Sequence, residues 1–138
     1  MKATQLRYED IKVGLVYEFE RTITAKDVRQ FAELTGDQNP LHVDLAFGAQ
    51  SQFGKNIVHG MLAGSLFSTL IGMYCPGERA LYMSQTLQFR KPLFYGDNVK
   101  VHGTVAAKND SIQVITLRTE IMQGDEVMVN GEAKVKVL

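Results

Sequence analysis

The chain has 138 residues, with 15 Lys and Arg balanced by 15 Asp and Glu. A formal net charge of zero gives no long-range attraction to phosphate backbones or anionic lipid, so nucleic acid is not an expected partner. The single cysteine, Cys75, excludes a disulfide framework and a cysteine metal cluster, and the length suits one domain, residues 1–138, with a core that needs no staples.

In chain order, residues 8–14 read as a lead-in turn and residues 15–23 as a first strand, with Tyr17 and Phe19 alternating against Val16, Glu18 and Glu20. Thr24 offers a helix N-cap, with Asp27 at the third helical position. The helix over residues 25–34 places Val28, Phe31, Ala32 and Leu34 on its buried side, and Gly36 ends it. The Asp37-to-His42 turn follows. Asp44 caps a short helix running to about Gln50, and residues 51–56 form a polar loop. Residues 59–74 form one long uncharged helix, with Leu62, Leu66 and Leu70 on a shared face and Pro76-Gly77 at its end.

Four strands complete the chain. Leu81, Met83, Leu87 and Phe89 alternate with Tyr82, Ser84, Thr86 and Gln88, and Val99, Val101, Val105 and Ala107 alternate with Lys100, His102 and Thr104. Ile115, Leu117 and Ile121 share a face, as do Val127, Val129, Ala133, Val135 and Val137. Half-polar strands cover one face with core, whereas a helix apolar on nearly all sides needs a sheet bent around it. The fold class is therefore α+β, a curved antiparallel sheet around a central helix. Residues 57–74 approach the length of a short membrane span, but three glycines, His59, Ser65, Ser68 and Thr69 mark a buried core helix instead, and no membrane association is expected. The polar N-terminus has no apolar signal region and Lys136-Val137-Leu138 is not the peroxisomal tripeptide, so a cytoplasmic protein is expected.

Asp37, Asn39 and Pro40 taken alone are ordinary turn residues, and His42 alone reads as a surface loop histidine. Their co-occurrence with His59-Gly60 at the start of the uncharged helix reverses that reading. The run Phe31-Ala32-Glu33-Leu34-Thr35-Gly36-Asp37-Gln38-Asn39-Pro40-Leu41-His42-Val43-Asp44 resembles the hydratase 2 motif of MaoC-like proteins. Ile57-Val58-His59-Gly60-Met61-Leu62 resembles that family's central-helix entrance, and the likeness continues through Gln88-Phe89-Arg90-Lys91-Pro92, Gly96-Asp97 and Gly131-Glu132-Ala133. The resemblance implies a hot dog fold and a homodimer. It also implies (R)-specific hydration of trans-2-enoyl-CoA to (R)-3-hydroxyacyl-CoA without metal or organic cofactor, as in the bacterial hydratases that feed polyhydroxyalkanoate synthesis.

The chemistry makes sense of the residue types. Attack of water at C3 needs a proton acceptor, C2 needs a proton donor, and the thioester oxygen needs stabilisation. An Asp37/His42 pair suits proton exchange near neutral pH. With both groups on one face of the substrate, both parts of water add to the same side, as the resemblance implies. Base and acid are not separately assigned; the favoured arrangement has the pair sharing one water, with Asp37 drawing off its proton and His42 orienting it. Asn39 anchors that water or holds the turn. A helix N-terminus presents free N–H groups and partial positive charge, and by resemblance the Gly60 amide is the oxyanion donor. His59 is read as a hydrogen-bonded residue fixing the loop before Gly60, with a second catalytic group as the alternative. Ser68, Ile71 and Val135 are the candidate acyl-tunnel walls. Arg90 and Lys91 either meet a CoA phosphate or are strand-end charges. A metal set of His42, Asp44 and His59 lacks a recognised spacing. Cys75 reads as a packed thiol and His102 as a solvated residue.

Three rival activities share this fold. A hot dog thioesterase would place an acidic residue on or before the central helix, where none stands from His59 to Tyr74. A 3-hydroxyacyl-carrier-protein dehydratase would favour a basic rim, which a balanced charge supports only weakly. A non-catalytic acyl-CoA-binding module would have no need of Asp37 and His42 together.

Overall fold

The alternating strands form one antiparallel sheet. In the computed structural model, which describes all 138 residues, the strands are β1 (Val16–Thr22), β2 (Ala80–Gln85), β3 (Gln88–Phe89), β4 (Asn98–Asn109), β5 (Val114–Gln123) and β6 (Glu126–Val137). They lie in the order β1-β4-β5-β6-β2, with β3 also on β6, so the sheet is open and β1 and β2 are its edges. The helices are α1 (Ala25–Thr35), α2 (Pro40–Val43), α3 (Leu45–Gln50) and α4 (Gly60–Thr69). No helix is long and apolar enough to cross a membrane.

Helix α1 begins with the expected reciprocal cap. The Asp27 N–H donates to Thr24 Oγ1 at 3.1 Å and the Thr24 N–H donates to Asp27 Oδ2 at 2.8 Å. It ends at Gly36, whose φ of 82° is the left-handed conformation a helix stop requires. Val28 and Ala32 are buried as expected, but Leu34 is 85% exposed. At 100° per residue Leu34 falls well off the stripe set by Val28, Phe31 and Ala32, so its apolar character did not place it inside.

The central helix is shorter than its apolar run. α4 stops at Thr69, and Leu70–Tyr74 continues as a π-turn in which the Cys75 N–H donates to the Leu70 carbonyl at 3.0 Å. Ala63, Phe67 and Leu70 pack with Val28, Val99, Val101, Ile121 and Val129 in one core cluster. Beyond the π-turn, Ile71 and Cys75 join Val105, Ile115, Leu117, Ala133 and Val135 in a second. The helix is not wrapped on every side: Met61, Ser65 and Ser68 form an exposed stripe. Phe67 is fully buried at the middle of the first cluster. Phe67→Ala is expected to cost about 3–5 kcal/mol of stability, read as a lower midpoint at unchanged slope in urea unfolding.

The expected strand over Leu81 to Phe89 is broken in two and partly inverted. Tyr82 packs against the second cluster, whereas Leu81, Met83 and Phe89 are exposed. The register on β6 slips between Tyr82 and Ser84, so the inward position passes from Tyr82 to Leu87, which packs against the first cluster as its alternation predicts. The run then interrupts at Thr86, whose carbonyl lies against the Cα of Gly131 so closely that any side chain there would collide with it.

Candidate active site

The Asp37-to-His42 segment is built from local hydrogen bonds. Thr35 Oγ1 accepts the Asp37 N–H at 3.3 Å, and Asp37 Oδ1 accepts the Asn39 N–H at 3.2 Å. Asn39 Oδ1 in turn accepts the Leu41 N–H at 2.9 Å, capping α2 with Pro40 at its first position. The sequence read as a plain turn is thus a one-turn helix, and Asn39 holds it. Asp44 caps α3 as expected, accepting the Phe47 N–H at 3.0 Å.

That turn carries His42 inward to the segment leading into α4. His42 Nδ1 lies 2.8 Å from the Ile57 carbonyl oxygen. A carbonyl only accepts, so Nδ1 carries the hydrogen, and Nε2 of the neutral ring is an acceptor. The Tyr95 hydroxyl donates to the His42 carbonyl. His59 stacks on His42 with ring centres 4.0 Å apart and lies at 4.9 Å from Phe31. By the same reasoning His59 Nε2–H donates to the Asp37 carbonyl at 3.0 Å, leaving its Nδ1 buried without a partner. His59 is only 2% exposed. It ties the helix entrance to the Asp37 turn and has almost no surface to offer a substrate.

Gly60 is the first residue of α4, and the first helical N–H groups have no partner within the helix. A Cβ on Gly60 would stand 3.0 Å from the Phe89 ring, so glycine lets that ring lie across the helix start. A cavity of about 440 Å³ opens here. Asp37, His42, His59 and Gly60 line it together with Phe53, Ile57, Val58, Met61, Ala63, Phe89, Arg90, Lys91, Pro92, Leu93 and Val129. Of the residues singled out in the sequence, Asn39, Ser68, Ile71 and Val135 do not line it. Asn39 is spent on the cap, Ser68 is exposed, and Ile71 and Val135 are buried in the second core cluster.

The sequence pattern does not single out Phe53, Leu93 and Val129, which line the cavity. They are separated in sequence, and no local spacing marks them as neighbours. Arg90 Nε donates to Asn130 Oδ1 at 2.6 Å and its Nη2 to Gln88 Oε1 at 3.0 Å, so neutral amides hold its guanidinium at the rim; Lys91 pairs with Glu126 at 3.0 Å.

Asp37, His42 and His59 offer ligand atoms within 4.8 Å of one another, and with the His59 Nε2–H given to the Asp37 carbonyl only its buried Nδ1 keeps a free lone pair. Asp44 is occupied at its cap. Cys75 is buried, and burial pushes its thiol up to about 12, as a packed thiol requires. His102 is half-buried rather than freely solvated, with Nε2 at 3.4 Å from Glu120 and Nδ1 at 3.9 Å from Glu18.

Residues 9–126 match the model of the MaoC-like domain. The chain belongs to the MaoC-like family. Its hot dog fold is that of the family's hydratases. An (R)-hydratase from A. caviae involved in PHA biosynthesis superimposes with a TM-score of 0.91 at 41% identity, covering 94% of this chain and 99% of that one. In sequence, this MaoC-like chain is 42% identical over 130 residues to an (R)-specific enoyl-CoA hydratase of Aeromonas caviae, across 94% of this chain and 97% of the relative. It is 42% identical over 132 residues to a 3-hydroxybutyryl-CoA dehydratase of Methylorubrum extorquens, across 96% and 84%.

Proposed function

We propose that this MaoC-like chain is an (R)-specific enoyl-CoA hydratase in which Asp37 and His42 act on one water and the Gly60 amide holds the thioester oxygen. The observation that carries the reading is the placement of His42. Its Nδ1–H is committed to the Ile57 carbonyl, so the neutral ring has only an acceptor left, and His42 and the half-exposed Asp37, whose ligand atoms lie within 4.8 Å of each other, both line the cavity that α4 opens. Two acceptors side by side receive both hydrogens of one water and aim its oxygen.

In the proposed step the water oxygen bonds to C3 and a proton passes to the Asp37/His42 pair, Asp37 drawing it off while His42 orients the water. The C2=C3 π electrons move toward the thioester, whose oxygen takes negative charge at the helix N-terminus. The pair then returns a proton to C2, so the enzyme ends as it began and water has added from one face. No electron acceptor or metal is required by this balance. Acyl carbons beyond C3 would lie against Ala63, Leu93 and Val129. Asn39 and His59 support the site through the turn. A homodimer through the open β2 edge fits the outward Leu81 and Met83 on that strand.

The test is turnover of crotonyl-CoA followed by loss of the enoyl-thioester absorbance, with the product oxidised by (R)- and (S)-specific dehydrogenases. Rapid loss and an (R) product are expected. Thiol release without hydration would replace the reading by a thioesterase. Binding of short and long enoyl-CoA without turnover would move it to a carrier-protein dehydratase or a binding module, distinguished by an enoyl-carrier substrate.

A further inference from the structure

A buried amide outside the cavity is bonded to the turn that carries His42. Asn56 ends the polar loop after α3 and is only 4% exposed. Its Nδ2 donates to the Leu41 carbonyl at 2.9 Å and the Asp44 carbonyl at 2.8 Å, with the Pro40 carbonyl at 3.3 Å. These are the carbonyls of α2 and of its C-terminal cap. A single helical turn cannot satisfy its own last carbonyls, and it is far too short to persist unaided. One side chain therefore supplies what α2 lacks.

The next residue completes the grip. The Ile57 N–H also reaches the Leu41 carbonyl, at 3.3 Å, and the Ile57 carbonyl takes the His42 Nδ1–H at 2.8 Å. Residues 56 and 57 thus hold the peptide before His42 and the ring of His42 itself. They are anchored from behind, because the Val58 N–H donates to the Leu93 carbonyl at 2.8 Å and Ile57 bridges to Phe94. The pocket for the amide is equally specific. A Cβ on Gly48 would stand 2.5 Å from Asn56 Nδ2, so α3 approaches this closely only because residue 48 has no side chain.

We propose that Asn56 is a positioning residue for catalysis: by holding α2 from below, it fixes His42 against the Ile57 carbonyl and so sets the Nδ1–H form that leaves Nε2 free for water. This rests on the hydratase reading for its catalytic consequence, but not for its effect on the ring. Asn56 does not line the cavity, so its influence passes through His42.

The experiment compares wild type with Asn56→Asp, which keeps the shape but sets a carboxylate against three carbonyl oxygens, and with Gly48→Ala, which displaces the amide while leaving Asn56 in the chain. Two quantities are read on folded protein: steady-state hydration of crotonyl-CoA, and the ¹⁵N shifts of the His42 ring above its titration. The expected result is a kcat lowered about 100-fold, the scale of an approximately 1 Å misplacement, with KM within about threefold, and loss of the single Nδ1–H form in both variants. If Asn56→Asp does not fold, Asn56→Ser, which retains a shorter donor, is measured in its place with the same expectation. A lower melting temperature with unchanged kcat and an unchanged His42 ring would overturn the proposal and leave Asn56 a stability residue. A wild type inactive on enoyl-CoA would remove the hydratase reading, and the ring shifts alone would then decide whether Asn56 positions His42.

Discussion

Asp37→Asn is expected to lower kcat for crotonyl-CoA hydration about 1,000-fold while KM stays within a few-fold, the scale of losing a positioned acid–base group. The substitution is close to isosteric. An amide oxygen in place of Oδ1 still accepts the Asn39 N–H, so the turn and the α2 cap survive. What is lost is the negative charge and with it the ability to take a proton from water. His42→Ala should be at least as damaging, because it removes Nε2 and also leaves the Ile57 carbonyl without its donor. The double variant should be barely worse than either single one, since the two groups act on one water and their effects do not add. Circular dichroism and melting curves of Asp37→Asn should match wild type. An Asp37→Asn enzyme retaining more than a tenth of wild-type kcat would remove the carboxylate from the proton transfer and leave His42 as sole base.

Gly60→Pro is expected to lower kcat about 100- to 1,000-fold relative to Gly60→Ala, the range observed when one oxyanion donor is deleted. The comparison isolates a single N–H. Proline is tolerated at the first position of a helix, where the amide hydrogen has no helical partner. The preceding residue, His59, already has φ −55° and ψ 131°, an extended conformation that proline accepts after it. Both variants add a Cβ that presses on the Phe89 ring, and that cost cancels between them. Equal kcat in the two variants would show that the Gly60 amide does not bear the developing charge and would direct attention to another first-turn donor.

Much of this protein was legible from local pattern. The Thr24 cap, the Gly36 stop, the Asp44 cap, the alternation of β5 and that of β4 as far as Val105 all depend on neighbours within about four residues, and each formed as expected; past Val105 a register shift against β5 leaves Ala107 exposed. Leu34 and the β2 face show where such patterns fail. Leu34 is apolar yet off the stripe, and no propensity reports where a stripe ends. In β2 the register slip lies in the pairing with β6, over fifty residues away, so the face that each side chain takes was decided by its partner strand.

The same division runs through the candidate site. The sequence by itself determined the chemical groups: a carboxylate and an imidazole five residues apart across an Asn-Pro turn, and a glycine opening an uncharged helix. Residue type and short spacing suffice for that, because turn and cap hydrogen bonds close over a few residues. Only the tertiary structure decided which nitrogen of His42 carries the hydrogen, that His59 reaches back to the Asp37 carbonyl, that Asn56 underpins α2, and that Phe53, Phe89, Leu93 and Val129 rather than Ser68, Ile71 and Val135 wall the cavity. Those contacts join segments brought side by side by packing α4 on the sheet. Their geometry depends on the summed burial of two core clusters, a quantity that no stretch of the chain carries alone.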